Sequence, residues 1–513
     1  MTIHIVPRPV SLVECEEPPF VLDSSTRISA DAGLGDAAQL LGELLRPATG
    51  LPLTVGDIGG IRFLVDQSLA DEEYRVAVDA QSILVHASGR RGALHAVQTI
   101  RQLLPAEAFS PELRSGIVWS VPAVRIADRP ALSWRGAHLD TARHFMPPEF
   151  VHRFIDLIAL HKFNRFHLHL TEDQGWRIEI PAYPRLTEVA AWRDGTVRGR
   201  HVPPWSDDLP HDGIRHGGFY TRADLEGFVA HAARLGIDVL PEIEMPGHAQ
   251  AAIAAYPWLG NGTEVEVGRG WGVSPHVYSV SDRTLQFCRD VLEVVFEIFP
   301  FEFVHLGADE CPKDEWRASA EAQQRMREEG LADEDELQSW FLSQITAFVH
   351  ERGRRVIGWD EILEGGLPPA AAVMSWRGEE GGLIASALGH DVVMAPQENT
   401  YFDFYQGDEE TEPLAHGPLL DLAAVRAYQP VPAGIPDAQR SRILGSQFQL
   451  WSEYLSTTAQ VEYMAFPRAC VFADVVWGTP DDGTFLTDTL PAHLERLEQL
   501  DVNFRRLDVG ESA

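Results

Sequence analysis

Acidic and aromatic side chains recur together at eight places in the later three-quarters of the chain. Asp140 is followed closely by Arg143, and Glu172 adjoins Asp173. Glu242 and Glu244 precede Pro246-Gly247-His248, and Asp309 adjoins Glu310. Trp359-Asp360-Glu361, Trp376-Arg377, Tyr401 with Asp403, and Trp451 with Glu453 complete the set. Such a mixture suits sugar chemistry. The C–H faces of a pyranose pack on Trp and Tyr, while its hydroxyls exchange hydrogen bonds with carboxylates and Arg. Cleaving a glycosidic bond needs a proton donor on the leaving oxygen and a group that stabilises an oxocarbenium-like centre. An Asp-Glu pair can divide that labour if burial or a neighbouring charge raises one pKa. Any one of these groups alone reads more simply as a solvated loop or a helix cap.

These residues need a scaffold that gathers them. Candidate strands are 136–140, 164–170, 237–245, 303–310, 355–361, 371–376, 391–396 and 442–451. Between most of them lie apolar patterns of helical period, at 150–163, 225–236, 284–299 and 337–353. Gly236 and Gly353 stand where a helix C-terminal cap belongs. Eight strands in alternation with helices predict a (β/α)8 barrel of the TIM type, in the α/β class. A doubly wound sheet is the rival, but no GxGxxG follows the first strand. In a barrel the chemistry gathers where strands run into the following loops, and each acidic or aromatic group falls there. Residues 1–128 differ: β-like runs at 61–65, 74–78 and 82–88 and one amphipathic helix at 92–104 predict a small α+β domain. The stretch 120–136 connects it to a barrel over 129–513, closed by a helix near 490–507.

Composition narrows the partners. Lys+Arg 42 against Asp+Glu 76 leaves a net charge of −34 over 513 residues. That argues against a nucleic-acid binder, which needs a cationic face for phosphates, and against docking on an anionic membrane. Lysine occurs only at Lys162 and Lys313. The 4 cysteines are scattered, with no CxxC, so neither a zinc ribbon nor a disulfide framework is indicated. The first residues lack a basic start followed by an apolar core, and no apolar run has the length of a membrane span, so a cytoplasmic protein is expected. His167 and His169 read as structural histidines rather than metal ligands, and Cys311 as a passive neighbour of Glu310. His201, His211 and His216 lie in a Gly/Pro/Asp-rich loop over 193–218, where zinc is the lesser reading. Trp134, Trp258, Trp316 and Trp477 stand away from the acids and read as core. No metal and no cofactor are expected.

The motifs WRGAHLDTARHF (134–145), HLHLTEDQGWRIEI (167–180), PEIEMPGH (241–248), HLGADE (305–310), GWDEI (358–362), SWRG (375–378), TYFDFY (400–405) and LWSEY (450–454) resemble glycoside hydrolase family 20, the β-N-acetylhexosaminidases. They stand in that family's order, and the front segment resembles its small N-terminal domain. The resemblance implies an exo-acting enzyme that releases terminal β-GlcNAc or β-GalNAc with retention. The substrate's own 2-acetamido oxygen attacks C1 and forms an oxazolinium, so adjacency within the substrate supplies the effective molarity. Carried over by position, Glu310 is the general acid and Asp309 orients the acetamido N–H. Arg135 holds ring hydroxyls, while Trp359, Trp376 and Trp451 line the pocket. Tyr401 binds the acetamido carbonyl, Asp403 and Glu453 bind hydroxyls, and His248 links to Glu310 through a further acid.

Two departures stand out. The family commonly carries Asp-Asp where this chain has Glu172-Asp173, which leaves open which of the two touches His248. Ala308 replaces a common glycine, with little effect expected. Crowded carboxylates are expected to keep Glu310 protonated. The implied partner is an amino-sugar oligosaccharide, and a homodimer burying barrel helices would be ordinary. Rival readings are a relative with altered specificity and a non-catalytic sugar-binding barrel; retention of Asp309, Glu310, Tyr401 and His248 argues against the second.

Overall fold

The computed structural model describes residues 3–200, 209–366 and 371–507; His201 lies outside them. Strands β1 (Trp134–Asp140), β2 (Arg165–His169), β3 (Asp238–Glu242), β4 (Phe303–His305), β5 (Arg355–Trp359), β6 (Ala372–Ser375), β7 (Val392–Met394) and β8 (Ile443–Phe448) close into an eight-stranded parallel barrel, with β8 pairing back onto β1. Every strand expected from the sequence is present. Strands β3 and β4 are shorter than expected: β3 ends at Glu242, before Glu244, and β4 ends at His305, before Asp309 and Glu310. Beyond β4, Gly307, Ala308 and Glu310 take φ of 66°, 76° and 44°, a left-handed path that no ladder can accommodate.

Helices cover the barrel. Pro148–Leu160, Arg222–Arg234, Asp282–Ile298 and Glu334–Glu351 each bury one apolar face against it. Gly236 and Gly353 follow helix ends with φ of 81° and 71°, conformations that glycine reaches without cost. Among the described residues, no helix is long and apolar enough to cross a membrane.

The front segment forms a six-stranded mixed sheet in the order Ser11–Glu14, Val124–Asp128, Tyr74–Val78, Ile83–Ala87, Ile61–Val65, Ile28–Ala30. Helices Gly35–Thr49 and Arg90–Leu103 pack together beside it. The second is the amphipathic helix expected over 92–104, yet it has no solvated face. Instead every residue from Gly92 to Leu103 is buried, because its polar side meets the N-terminal end of the barrel. There Gln102 bonds the backbone of Val6, and His95 packs edge-on against Trp477.

That contact is held by charge. Lys162 is wholly buried, 3.2 Å from Asp128, and donates to the Tyr74 hydroxyl. The indole of Trp477 donates to the other oxygen of Asp128 at 2.8 Å. Asp128 thereby joins the last strand of the front sheet to two parts of the barrel.

Candidate active site

Arg135 is the second residue of β1, so its side chain leaves the barrel at the end opposite the acids. It bonds Glu72 of the front domain at 2.6 and 3.1 Å and the carbonyls of Leu132 and Lys162, over the ring of Trp477. This corrects the sugar-binding role expected for Arg135: it fastens the two domains. Arg143, three residues past the end of β1, enters the cavity instead. Asp140 turns it inward by accepting from the Arg143 amide at 3.1 Å and its guanidinium at 3.2 Å. Arg143 then meets Glu172 at 3.0 Å and Glu453 at 3.5 Å and lies over the Trp451 ring.

The cavity at the C-terminal ends of the strands measures about 660 Å³. Asp309, Glu310, Trp359, Trp376, Tyr401, Asp403, Trp451 and Glu453 all line it, together with Arg143. The rings form a sleeve. Trp376 stacks on Tyr401 with 6.1 Å between centroids, and Trp359 meets Trp451 at 5.6 Å. Each indole is oriented from behind: Trp359 donates to Glu242 at 2.8 Å and Trp376 to Glu361 at 2.9 Å. Asp309 Oδ1, Asp403 Oδ1 and Glu453 Oε2 are buried and take no hydrogen bond from the described residues. Buried acceptors of this kind suit the hydroxyl and amide donors of a ligand.

Glu172, Asp173 and His248 do not line this cavity; they form the layer behind it. His248 Nδ1 stands 2.8 Å from Glu172 and 3.3 Å from Asp173, so both touch it and Glu172 is the closer. The glutamate's extra length also lets its second oxygen reach Arg143, and His169 at 3.3 Å. The other face of His248, Nε2, lies 3.5 Å from both Asp309 and Glu310.

The electrostatics follow. Burial disfavours a charged His248, but the charges of Glu172 and Asp309 outweigh it and raise its pKa well above the ordinary value. Glu172 is likewise held low despite burial, by Arg143 and His248. Burial raises Asp173, Asp403 and Glu244 instead. Glu310 departs from the sequence expectation. Burial pushes its pKa up, but the hydrogen bond and charge of His248 push harder, and the net shift is downward. Crowded acids do surround it; the cation nearest to it decides the sign.

Beneath this layer the barrel interior is polar. Glu242 receives His305 Nδ1 at 2.8 Å and the His169 ring, and stands 3.2 Å from His167. Burial opposes charge on His169, yet Glu242 and Glu172 raise its pKa to about 10. His167 and His169 both meet Glu242 inside the barrel, while Nε2 of each ring takes no hydrogen bond from the described residues. A continuous chain of contacts runs from Glu310 through His248, Glu172 and His169 to Glu242.

Gly307 shows how tightly the loop carrying Asp309 and Glu310 is set: an added Cβ there would sit 1.7 Å from Glu244 Oε2. Ala308, expected to be neutral, sits buried at φ 76°, where any Cβ carries strain. Away from the cavity, His161, Cys470 and His493 also converge, but hydrogen bonds of 3.0 and 3.3 Å among them account for the cluster.

Residues 132–480 match the model of the glycosyl hydrolase family 20 catalytic domain, and residues 2–129 match that family's domain 2. The chain belongs to glycosyl hydrolase family 20. A β-hexosaminidase of Porphyromonas gingivalis is 42% identical over 93% of this chain, which spans 60% of that relative's length. A β-N-acetylhexosaminidase of Cellulomonas fimi is 31% identical over 94% of this chain and 91% of its own. Among solved structures, the Streptomyces coelicolor β-N-acetylhexosaminidase superposes with a TM-score of 0.84 at 29% identity, over 98% of this chain and 97% of that one. A Vibrio harveyi exo-β-N-acetylglucosaminidase in complex with N-acetylglucosamine gives 0.85 at 31%, over 98% and 78%. Family 20 membership makes the chain a glycoside hydrolase of the β-hexosaminidase class, and the barrel with its front domain is the family 20 arrangement.

Proposed function

We propose that the protein is an exo-β-N-acetylhexosaminidase that releases terminal β-GlcNAc or β-GalNAc with retention, the substrate's acetamido oxygen acting as nucleophile. The observation that carries this is the placement of Asp309 and Glu310. Both come from one loop and share one histidine, so their carboxylates approach within 4.8 Å of each other. A protein nucleophile would come from across the sugar, opposite the acid. Here one of the pair can hold the acetamido N–H while the other faces the leaving oxygen. Tyr401 stays protonated, since burial raises its pKa well above the ordinary value, so it can donate to the acetamido carbonyl. Arg143, Asp403 and Glu453, which line the cavity, would take the ring hydroxyls.

The cation behind Glu310 fits this division. A sugar filling the cavity displaces water and pushes the Glu310 pKa up, towards the acid form. Once the proton has moved to the leaving oxygen, His248 stabilises the carboxylate that remains. That carboxylate then takes a proton from the water that opens the oxazolinium.

Glu310→Gln tests the reading. Turnover of substrates with poor leaving groups should fall by about 10²-fold or more, while an activated aryl glycoside loses far less. Equal loss on both would remove Glu310 from the acid role. Wild-type turnover of a 2-hydroxyl analogue at a rate rivalling the N-acetyl substrate would remove substrate assistance.

A further inference from the structure

A second cavity, of about 330 Å³, opens beside the first. The two share Val273, Glu310 and Pro312 and no other lining residue. This reading rests on Glu310 as the acid. If Glu310 protonates the leaving oxygen, the leaving group extends past Glu310 and out of the aromatic sleeve. The second cavity occupies a flank of Glu310 that the sleeve does not.

Its chemistry differs from that of the first. Lys313, Gln338, Glu361, Glu364 and Arg377 supply its polar groups, and no aromatic side chain lines it. An aryl or lipid aglycone would find no ring to stack on. A sugar would find hydrogen-bonding groups on several sides. Nor is there a spare cation. Arg377 lies 2.5 Å from Asp360, 2.9 Å from Glu364 and 3.7 Å from Glu361. Lys313 donates to the Cys311 carbonyl at 2.8 Å and to Gln338, and stands 3.5 Å from Asp335. An anionic leaving group would have to compete with carboxylates already in place.

Glu361 ties the two cavities together. One of its oxygens receives the Trp376 indole from the sleeve, and its side chain also forms part of the second wall. Contact with a leaving group on one side can therefore reach the ring on the other through one carboxyl.

We propose that this cavity is the leaving-group subsite, that it takes a neutral, hydroxyl-rich sugar ring, and that Glu364 and Arg377 set its selectivity. The enzyme would then be built for short amino-sugar oligosaccharides rather than aryl, alkyl or acidic conjugates.

The measurement is the ratio of kcat/KM for a β-linked N-acetylglucosamine disaccharide to that for an aryl β-N-acetylglucosaminide. Glu364→Ala and Arg377→Ala should each lower this ratio by about tenfold, the loss expected for one charge-assisted hydrogen bond. A ratio unchanged in both folded variants would overturn the proposal. A second measurement needs no variant. Wild-type enzyme should favour the disaccharide by about tenfold over an alkyl glycoside of matched leaving-group acidity, and over a disaccharide ending in a uronic acid. Equal rates on all three would overturn it. Failure of the underlying function shows separately, as no wild-type turnover of the aryl glycoside, and overturns both readings.

Discussion

At the scale of single residues, the two arginines of the first strand and its loop separate packing from recognition. Arg143→Ala should lower kcat/KM by roughly 10- to 100-fold, as expected for loss of a charged hydrogen-bonding partner in a closed site. Arg135→Ala should instead lower Tm and leave kcat/KM of the folded enzyme within about threefold. Steady-state kinetics beside thermal unfolding distinguish them, and the reverse pattern would return the sugar to Arg135. His248 carries a prediction of sign. Its cation lowers the Glu310 pKa, so His248→Gln should raise it. The alkaline limb of the kcat/KM profile, where Glu310 loses its proton, should then move to higher pH, although the overall rate falls. A shift to lower pH would contradict the arrangement described here. These residues also mark how far the sequence could be read. Barrel geometry places chemistry at strand C-termini, and Arg135, at the start of a strand, fails that rule while Arg143 satisfies it. The motif carried both arginines, and the resemblance gave the sugar to Arg135, which the structure turns to Glu72 instead. The sign of the Glu310 shift was beyond the sequence for another reason. It depends on a histidine far along the chain, which is itself charged only because Glu172 and Asp309 converge on it.

Among the elements, the barrel strands were legible because each is a short apolar run ending in acids or rings. The front helix was legible as a helix but not as a buried one. Its polar residues look like a solvated face until the barrel end is placed against them, and only then do His95, Gln98 and Gln102 become buried. The Glu72–Arg135 pair lies at the same junction. Glu72 is partly buried, which raises its pKa, but Arg135 and His95 bring it far below the ordinary 4.5. A carboxylate with a depressed folded-state pKa adds stability that is complete above the unfolded value and is lost as pH falls below it. Acid should therefore loosen this junction below about pH 4.5. Glu72→Gln should lower stability at neutral pH by about 3 kcal/mol, since it strands a buried guanidinium. The same variant should show a flatter loss of Tm between about pH 6 and about pH 3.5 than the parent. Parallel melting curves for the two proteins would show that the pair contributes nothing at that junction.

For the molecule as a whole, the charge of −34 sets a field but not a function. A neutral amino-sugar oligosaccharide is not steered by that field, so kcat/KM on the disaccharide should stay within about twofold between low and physiological salt. A steep fall with salt would instead reveal a cationic substrate. The front domain and barrel share the buried Asp128, Lys162 and Trp477 network, so a barrel expressed alone would expose an unpaired lysine and a large indole. It should aggregate or melt at lower temperature than the full chain, by light scattering and calorimetry. The lysines have a further consequence. Lys162 is wholly enclosed at the domain junction, and Lys313 is held by Cys311, Gln338 and Asp335 with 11% of its side chain exposed. No other lysine exists in the sequence. Reagents that acylate or cross-link primary amines should therefore find little reactive lysine on the folded chain. A mass spectrum of the acylated protein should show labelled lysine only after unfolding.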